Sequence, residues 1–308
     1  MSAPRSLDVV VVGDLFADLV MSGFASWPPR AGEELFAERF CREIGGGAAI
    51  TACGLAKLGA KVGVVGVIGG TDGQWLIERL EISGVNTSTI QRSSREPTAV
   101  TVSISSATDR TFLTYMGANR ELPAMLKQVG SRGEFAKTRH VHLAFAPEPV
   151  EAGDLFTELT KQGCSLSVDV GWHPEWLSNA DCREALRNVS IFLPNEREAA
   201  LMTGETEPRR ILQAFEKAGL RIVALKLGQA GAGLLCDGTI SFCEPITVPS
   251  VDTTGAGDCF DGGFLFAWLR GDDPQNCLKA GTICGALSTR RLGGIAGFPT
   301  VAEMDALI

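Results

Sequence analysis

The sharpest chemical signal in the chain is a run of seven residues, Asp252-Thr253-Thr254-Gly255-Ala256-Gly257-Asp258, followed directly by the apolar run 259–270. Three small residues where a helix starts leave their backbone N–H groups uncovered. Together with the helix dipole, those groups form a site for an anion such as a phosphoryl group in transfer. Asp258 falls in the first helical turn, where a carboxylate is stabilised and can take a proton from an alcohol. Taken alone, Gly-Ala-Gly reads as a plain turn with Asp258 as a helix cap, but acidic residues at both ends of the loop favour the anion site. Asn195 and Glu198 form a second pair, one turn apart where a helix opens behind the apolar run 191–193. Side by side they can organise a hydrated Mg²⁺, or serve as an N-cap and a surface glutamate. There is no Gly-x-x-x-x-Gly-Lys-Ser/Thr string and no complete Gly-x-Gly-x-x-Gly behind a strand. Both absences argue against a Walker-type phosphate loop and a dinucleotide oxidoreductase.

These residues need elements to hold them. Residues 7–13, Leu-Asp-Val-Val-Val-Val-Gly, have the β-branched continuity of a buried parallel strand closed by glycine. Small helix formers over 48–58 end at Gly59, residues 61–67 read as the next strand, and Asp72 is placed to cap a helix running through Leu80. Strand signals at 141–145, 165–170, 191–193 and 222–227 then alternate with helical patterns at 150–160, 196–202 and 208–218, and 280–287 is a small-residue helix. Such alternation implies an α/β fold, a mainly parallel sheet with helices on both faces. Two stretches break the rhythm. Residues 33–43 alternate without a helical period, and 98–105 with 110–115 read as two strands joined by a polar turn at 106–109. They are expected to form antiparallel strands outside the main sheet, a small flap. No linker, repeat or charge block divides the chain, so one α/β domain over 1–308 is expected, with a β-rich lid from about 16–44 and 96–116.

Composition limits the functional classes. Of 308 residues, 45% are hydrophobic and 21% charged, which excludes a disordered chain. The formal charge of -8 disfavours nucleic acid as a partner. Nine cysteines, with no Cys-x-x-Cys and several in apolar runs, read as reduced buried thiols of a cytoplasmic protein. Three histidines, His140, His142 and His173, are too few and wrongly spaced for a zinc site with those cysteines. The first apolar run, 9–12, is too short for a signal peptide or a membrane span, so no membrane association is expected.

The 252–258 string resembles the C-terminal signature of the ribokinase (PfkB) carbohydrate-kinase family, and other motifs follow in matching order over nearly the whole chain. Gly45-Gly46-Gly47 before a small-residue helix is similar to that family's diglycine motif, and Gly117-Ala118-Asn119 to its Gly-Ala-Asn segment. Asn195-Glu196-Arg197-Glu198 resembles its Asn-x-x-Glu motif, and Lys226-Leu227-Gly228 a nucleotide-contacting turn. The resemblance implies a ribokinase-like fold and an ATP- and Mg²⁺-dependent kinase acting on a primary hydroxyl of a sugar or sugar-like molecule. It makes Asp258 the base and gives the amides of Gly255, Ala256 and Gly257 to the transferring phosphate. It assigns Asn195, Lys226, Gly228 and Thr254 to the nucleotide, Glu198 and Asn195 to Mg²⁺, and Asp252 to a monovalent cation such as K⁺. Asp18 would bind sugar hydroxyls, with Asp14 nearby and Gly45 and Gly46 admitting the ring. Lid strands in this family often pair between subunits, which implies a homodimer.

Two departures bear on the substrate. Ribokinases proper carry asparagines where this chain has Phe16 and Ile50. Each lost polar contact leaves a ribose hydroxyl unpaired, at roughly 1–3 kcal/mol, so ribose itself is disfavoured. In Asp169-Val170-Gly171-Trp172-His173-Pro174, glycine and histidine stand where sugar kinases often have asparagine and arginine, which counts against a phosphorylated substrate held by that arginine. His173 reads as a pH-sensitive contact or as a plain loop residue. A nucleoside kinase, with Phe16 as an aromatic wall, stays open as an alternative. So does a catalytically silent sugar or nucleotide sensor, although such a sensor has no need of a base at 258.

Overall fold

The β-branched run at the N-terminus forms β1 (Leu7–Gly13), and its side chains feed two cores in alternation. Val9 and Val11 join one apolar cluster, Val10 and Val12 the other, and all four are buried. A strand covered on both faces needs such an unbroken apolar run. The computed structural model describes residues 6–24, 27–105, 110–131 and 133–308. After β1 come β2 (Phe16–Ser22), β3 (Arg39–Gly45), α1 (Gly47–Lys57), β4 (Val62–Val65), β5 (Val67–Gly69), α2 (Gln74–Ile82), β6 (Gln91–Ser93), β7 (Ala99–Ser105) and β8 (Arg110–Tyr115). The middle of the chain holds α3 (Leu122–Ser131), β9 (Thr138–Ala144), α4 (Pro149–Lys161), β10 (Ser165–Val168), α5 (Pro174–Ser178), α6 (Ala180–Ala185), β11 (Ile191–Phe192), α7 (Glu196–Thr203) and α8 (Pro208–Lys217). It closes with β12 (Ile222–Lys226), β13 (Ala232–Cys236), β14 (Thr239–Cys243), α9 (Ala256–Arg270), α10 (Pro274–Ser288) and α11 (Val301–Asp305).

The main sheet has the order β14-β13-β12-β11-β10-β9-β1-β4. From β12 to β4 its strands run parallel, and β13 with β14 adds an antiparallel edge hairpin. Residues of α1, α2, α9 and α10 pack with Val9 and Val11. Those of α3, α4, α7 and α8 pack with Val10 and Val12. The chain leaves β1 for β4 on one side and later returns to β9 on the other, so the winding reverses between β1 and β9. In open α/β sheets that reversal leaves a crevice at the carboxyl ends of the strands, here at the paired residues Gly13 and Ala144.

A separate four-stranded sheet, β3-β2-β7-β8, stands beside the crevice. Its register sets Asp18 opposite Glu43 on one side and Thr101 on the other. Asn119 joins this region to the body: its Oδ1 accepts from Leu15 N at 3.1 Å and its Nδ2 donates to Leu15 O at 3.3 Å. The buried amide thereby fixes the segment that carries Asp14 and Phe16.

Some local expectations need correction. Asp72 does not cap α2, whose N-cap is Gly73; its carboxylate accepts from Thr98 N at 3.0 Å and Thr98 Oγ1 at 2.8 Å, tying the start of β7 to the body. The strand expected over 61–67 breaks at Gly66 into β4 and β5. The alternation of 33–43 becomes strand only from Arg39. The flap is not wholly antiparallel, because β2 and β7 pair in parallel. The turn expected at 106–109 lies outside the described residues. None of the nine cysteines is in a disulfide, and six of them are buried; among the described residues no helix is long and apolar enough to cross a membrane.

Candidate active site

Three consecutive glycines at the end of β3 and the start of α1 make the crevice possible. A Cβ on Gly45 would collide with the Asp18 carboxylate, one on Gly46 with the Asp14 carbonyl, and one on Gly47 would lie 2.9 Å from Asp258 Oδ1. The turn thus carries three acidic residues closer than any side chain would allow. Phe16 stands over Gly46, its Cδ2 3.1 Å from where a Cβ would be. Ile50 points elsewhere. It is 2% exposed and packs against Gly255 and Gly294, beneath the 252–258 loop.

That loop enters α9 through Gly255, the N-cap, at φ 70°. Asp252 shapes it from below: Oδ1 accepts from Thr254 N at 2.8 Å and Oδ2 from Gly293 N at 2.9 Å. Asp258 follows in the first turn of α9, and Thr51 Oγ1 of α1 donates to its backbone carbonyl at 3.1 Å. Its carboxyl is pushed up to about 7, chiefly by burial and by the carboxylate of Asp169, with Lys226 pulling the other way. Asp18 is also raised to about 7, by burial and then by Asp252 and Glu43, and burial lifts Asp14 to about 6. A carboxylate poised near 7 is the right strength to accept an alcohol proton at neutral pH.

Asn195 and Glu198 form a capping box. Asn195 Oδ1 accepts from Glu198 N at 2.9 Å, Glu198 Oε2 accepts from Asn195 N at 2.9 Å, and Asn195 Nδ2 donates to Glu198 Oε1 at 2.6 Å. The glutamate is 3% exposed, hence not a surface residue, and burial with the nearby Asp169 raises it to about 7. Lys226, at the end of β12, was expected at a nucleotide turn. Its Nζ lies 2.6 Å from Asp169 Oδ2 and 3.1 Å from Asp261 Oδ1. Asp169, Asp258 and Asp261 approach closely enough to grip a metal ion, but the ammonium already lies on two of them. The sequence signal for Asp261 is a lone carboxylate one turn beyond Asp258 in an apolar helix, which the motif itself does not include.

Lys226 and Gly228 also line a cavity of about 560 Å³, together with Thr253, Ala256, Gly257 and residues of the 245–250 loop and α10. Pro245, Ile246, Val248 and Phe260 give it apolar lining and the start of α9 adds backbone, a composition suited to a flat base with a phosphate tail; of the loop amides, that of Ala256 already donates to Thr253 O at 3.2 Å. Asn195 and Thr254 stand outside that lining. Outside that lining, Asp18, Glu198 and Asp258 each have a raised pKa, first through burial and then through neighbouring carboxylates. Such a donor set fits a hydrated Mg²⁺ held through Glu198 and Asn195.

That charge excess has a measurable consequence. A carboxyl whose folded pKa is raised contributes stability at low pH that is lost as pH rises through the folded value. Asp14, Asp18, Glu198 and Asp258 all shift this way. His140 and His142 are driven down to about 3 and 4 by burial, so in the folded chain they stay neutral above pH 6. Thermal unfolding followed by circular dichroism should therefore show the melting temperature falling between pH 6 and 8, with added Mg²⁺ recovering part of the loss at pH 8. A melting temperature that rises over this window would contradict the charge excess.

The model of the pfkB family carbohydrate kinases matches residues 6–301. The 2-dehydro-3-deoxygluconokinase of Bacillus subtilis is 28% identical over 283 residues, covering 87% of each chain. The cytidine kinase of Thermococcus kodakarensis is 30% identical over 253 residues, 77% of this chain and 84% of that one. The solved structure of Arabidopsis thaliana ribokinase complexed with ribose and ATP superposes with a TM-score of 0.83 at 26% identity, over 98% of both chains. A buried carboxyl in the first turn of α9, behind a glycine loop at the switch point of a ribokinase-like fold, thus sits in a chain that belongs to the pfkB family of carbohydrate kinases, phosphotransferases that act on an alcohol group.

Proposed function

We propose that the protein transfers the γ-phosphoryl group of ATP to a primary hydroxyl of a sugar or sugar-like small molecule, with Asp258 as the base. The observation that carries this reading is the place of the Asp258 carboxylate: beside Gly47, at the mouth of α9, with its pKa near 7. Asp258 takes the hydroxyl proton as the oxygen attacks, and the amides of Gly255 and Gly257 bind the charge that develops on the phosphoryl oxygens, joined by that of Ala256 only when it gives up its bond to Thr253 O. Asp18 accepts hydrogen bonds from sugar hydroxyls and so orients the acceptor, while Asp14 and the glycine turn shape the same wall. Mg²⁺, held through Glu198 and Asn195, would supply charge neutralisation on the phosphates. The four-stranded sheet acts as a lid that keeps water from the phosphoryl group.

A nucleoside acceptor is the second reading, favoured by Phe16 standing over Gly46 where an aromatic ring can stack on a base. The silent sensor does not survive family membership. For assembly we extend the proposal to a homodimer through the lid, whose register puts the exposed Phe40, Leu113 and Tyr115 on one face. A cytoplasmic setting, with ATP at hand and thiols kept reduced, suits nine cysteines without a disulfide.

The test is an ADP-release screen over hexoses, pentoses, keto-acid sugars and nucleosides with Mg²⁺, run in Na⁺ and in K⁺ to read monovalent activation near Asp252. A free sugar is expected to turn over, and Asp18→Asn to raise its KM by roughly 10- to 100-fold, the worth of a lost charge-assisted hydrogen bond. Turnover of nucleosides alone would sink the sugar assignment.

A further inference from the structure

Lys226 has a role that a nucleotide-contacting turn does not account for. Its ammonium is almost out of solvent, with side-chain exposures of 10% for the lysine, 12% for Asp169 and 1% for Asp261. It reaches Asp169 Oδ2 at 2.6 Å and the two Asp261 oxygens at 3.1 and 3.3 Å. These three residues come from the end of β12, the turn behind β10 and the second turn of α9, so one cation ties two strand ends to the helix that carries the base. The lysine stem also runs under the anion loop: a Cβ on Gly257 would meet Nζ at 3.7 Å and the stem carbon Cδ at 3.9 Å. Burying an ammonium is costly unless carboxylates surround it in good geometry. The arrangement therefore persists only while all three groups stay in register.

We propose that Lys226, clamped between Asp169 and Asp261, is a positioning residue for phosphoryl transfer: it holds the first turns of α9 against the strand ends, and with them the Asp258 carboxylate and the amides of Gly255–Gly257. The proposal rests on the reading of Asp258 as the base. The groups whose charge reaches Asp258 are Asp169, Lys226, Glu198 and Asp18, with Asp261 facing it from the next turn of its own helix. Lys226 is the only cation among them. His142, fully buried below with Nε2 unpartnered and with Asp169 and Lys226 as its charged neighbours, stays neutral and adds no second positive charge. Without the ammonium, Asp169, Asp258 and Glu198 face one another, and repulsion drives the helix start away from the strands. A displacement of about 1 Å at a transfer site costs on the order of 100-fold in rate.

The test uses the full chain with the best acceptor found in the substrate screen. Lys226→Met keeps the length of the stem and removes the charge, and Lys226→Arg keeps the charge. Lys226→Met should lower kcat about 10- to 100-fold at saturating ATP, beyond any loss of ADP affinity that calorimetry reads from its place in the cavity lining. Its acid limb of kcat/KM should move to higher pH, because a cation that favours ionised Asp258 has gone. Lys226→Arg should leave that limb in place and recover part of kcat. A folded Lys226→Met protein with wild-type kcat and an unmoved limb would overturn the positioning role, even with a lowered melting temperature. If Lys226→Met does not fold, Lys226→Arg decides alone. A several-fold drop in kcat at unchanged ADP affinity supports the role, since a wider guanidinium cannot seat both carboxylates as closely, and wild-type kcat refutes it. Asp258→Asn in the same assay separates the two claims, because if that variant stays active the base assignment has failed, whatever Lys226 does.

Discussion

Asp258→Asn is expected to lower kcat by about 10²- to 10⁴-fold, the usual worth of a positioned general base, while ADP binding is left intact. The asparagine has the same shape, so the packing against Gly47 and the Thr51 hydrogen bond to the backbone carbonyl of residue 258 persist. What is lost is the lone pair that takes the proton. In the wild-type chain, kcat/KM should rise with pH and level off above about 7, because burial and Asp169 hold the carboxyl near that value and only its ionised form can act. Asp258→Asn should flatten this limb as well as lower the rate. Initial-rate kinetics from pH 5.5 to 8.5, with calorimetric ADP titration, read both. An Asp258→Asn enzyme within tenfold of wild type would remove the base from the mechanism.

The parts of the site that are local in the chain were legible in the sequence. The 252–258 loop and α9 announce themselves because small residues, a framing pair of aspartates and an apolar helix are consecutive. The strand at 7–13 does so because β-branched residues follow one another without a polar break. The edge hairpin β13–β14 also left a trace, Asp237-Gly238 between two apolar runs, and both residues adopt positive φ as a tight hairpin turn requires. What stayed hidden depends on distance in the chain. The glycines at 45 and 46 read as room for a sugar ring, but the three at 45–47 also make room for other segments: the Asp18 carboxylate, the Asp14 backbone carbonyl and the Asp258 carboxylate. Ile50 reads as a pocket residue by position in the motif, and only the fold turns it under the anion loop. Lys226 and Asp261 are 35 residues apart and meet only because β12 ends under α9.

The packing of Ile50 under the loop makes Gly255→Ala a damaging substitution. Gly255 holds φ 70°, where a Cβ costs about 1–2 kcal/mol by itself. The new methyl would also lie 2.8 Å from Ile50 Cδ1 and 3.1 Å from Gly294 Cα. Neither neighbour can retreat easily: Ile50 is 2% exposed, and the adjoining Gly293 is bonded through its amide to Asp252. The helix start must move instead, and the amides of 255–257 move with it. Loss of an aligned charge-binding donor costs about 10²- to 10³-fold in kcat, so a fall of that size is expected, with the acceptor KM little changed. Gly271→Ala supplies the control. Gly271 ends the same helix at φ 89° with open space around it, so the variant should lose stability in a melting experiment yet keep kcat. Ile50→Val removes the methyl nearest the clash, so the double variant Ile50→Val/Gly255→Ala should regain part of the lost rate. Recovery would trace the defect to the displaced amide cradle. Equal loss in the single and double variants would trace it to backbone strain at Gly255 alone.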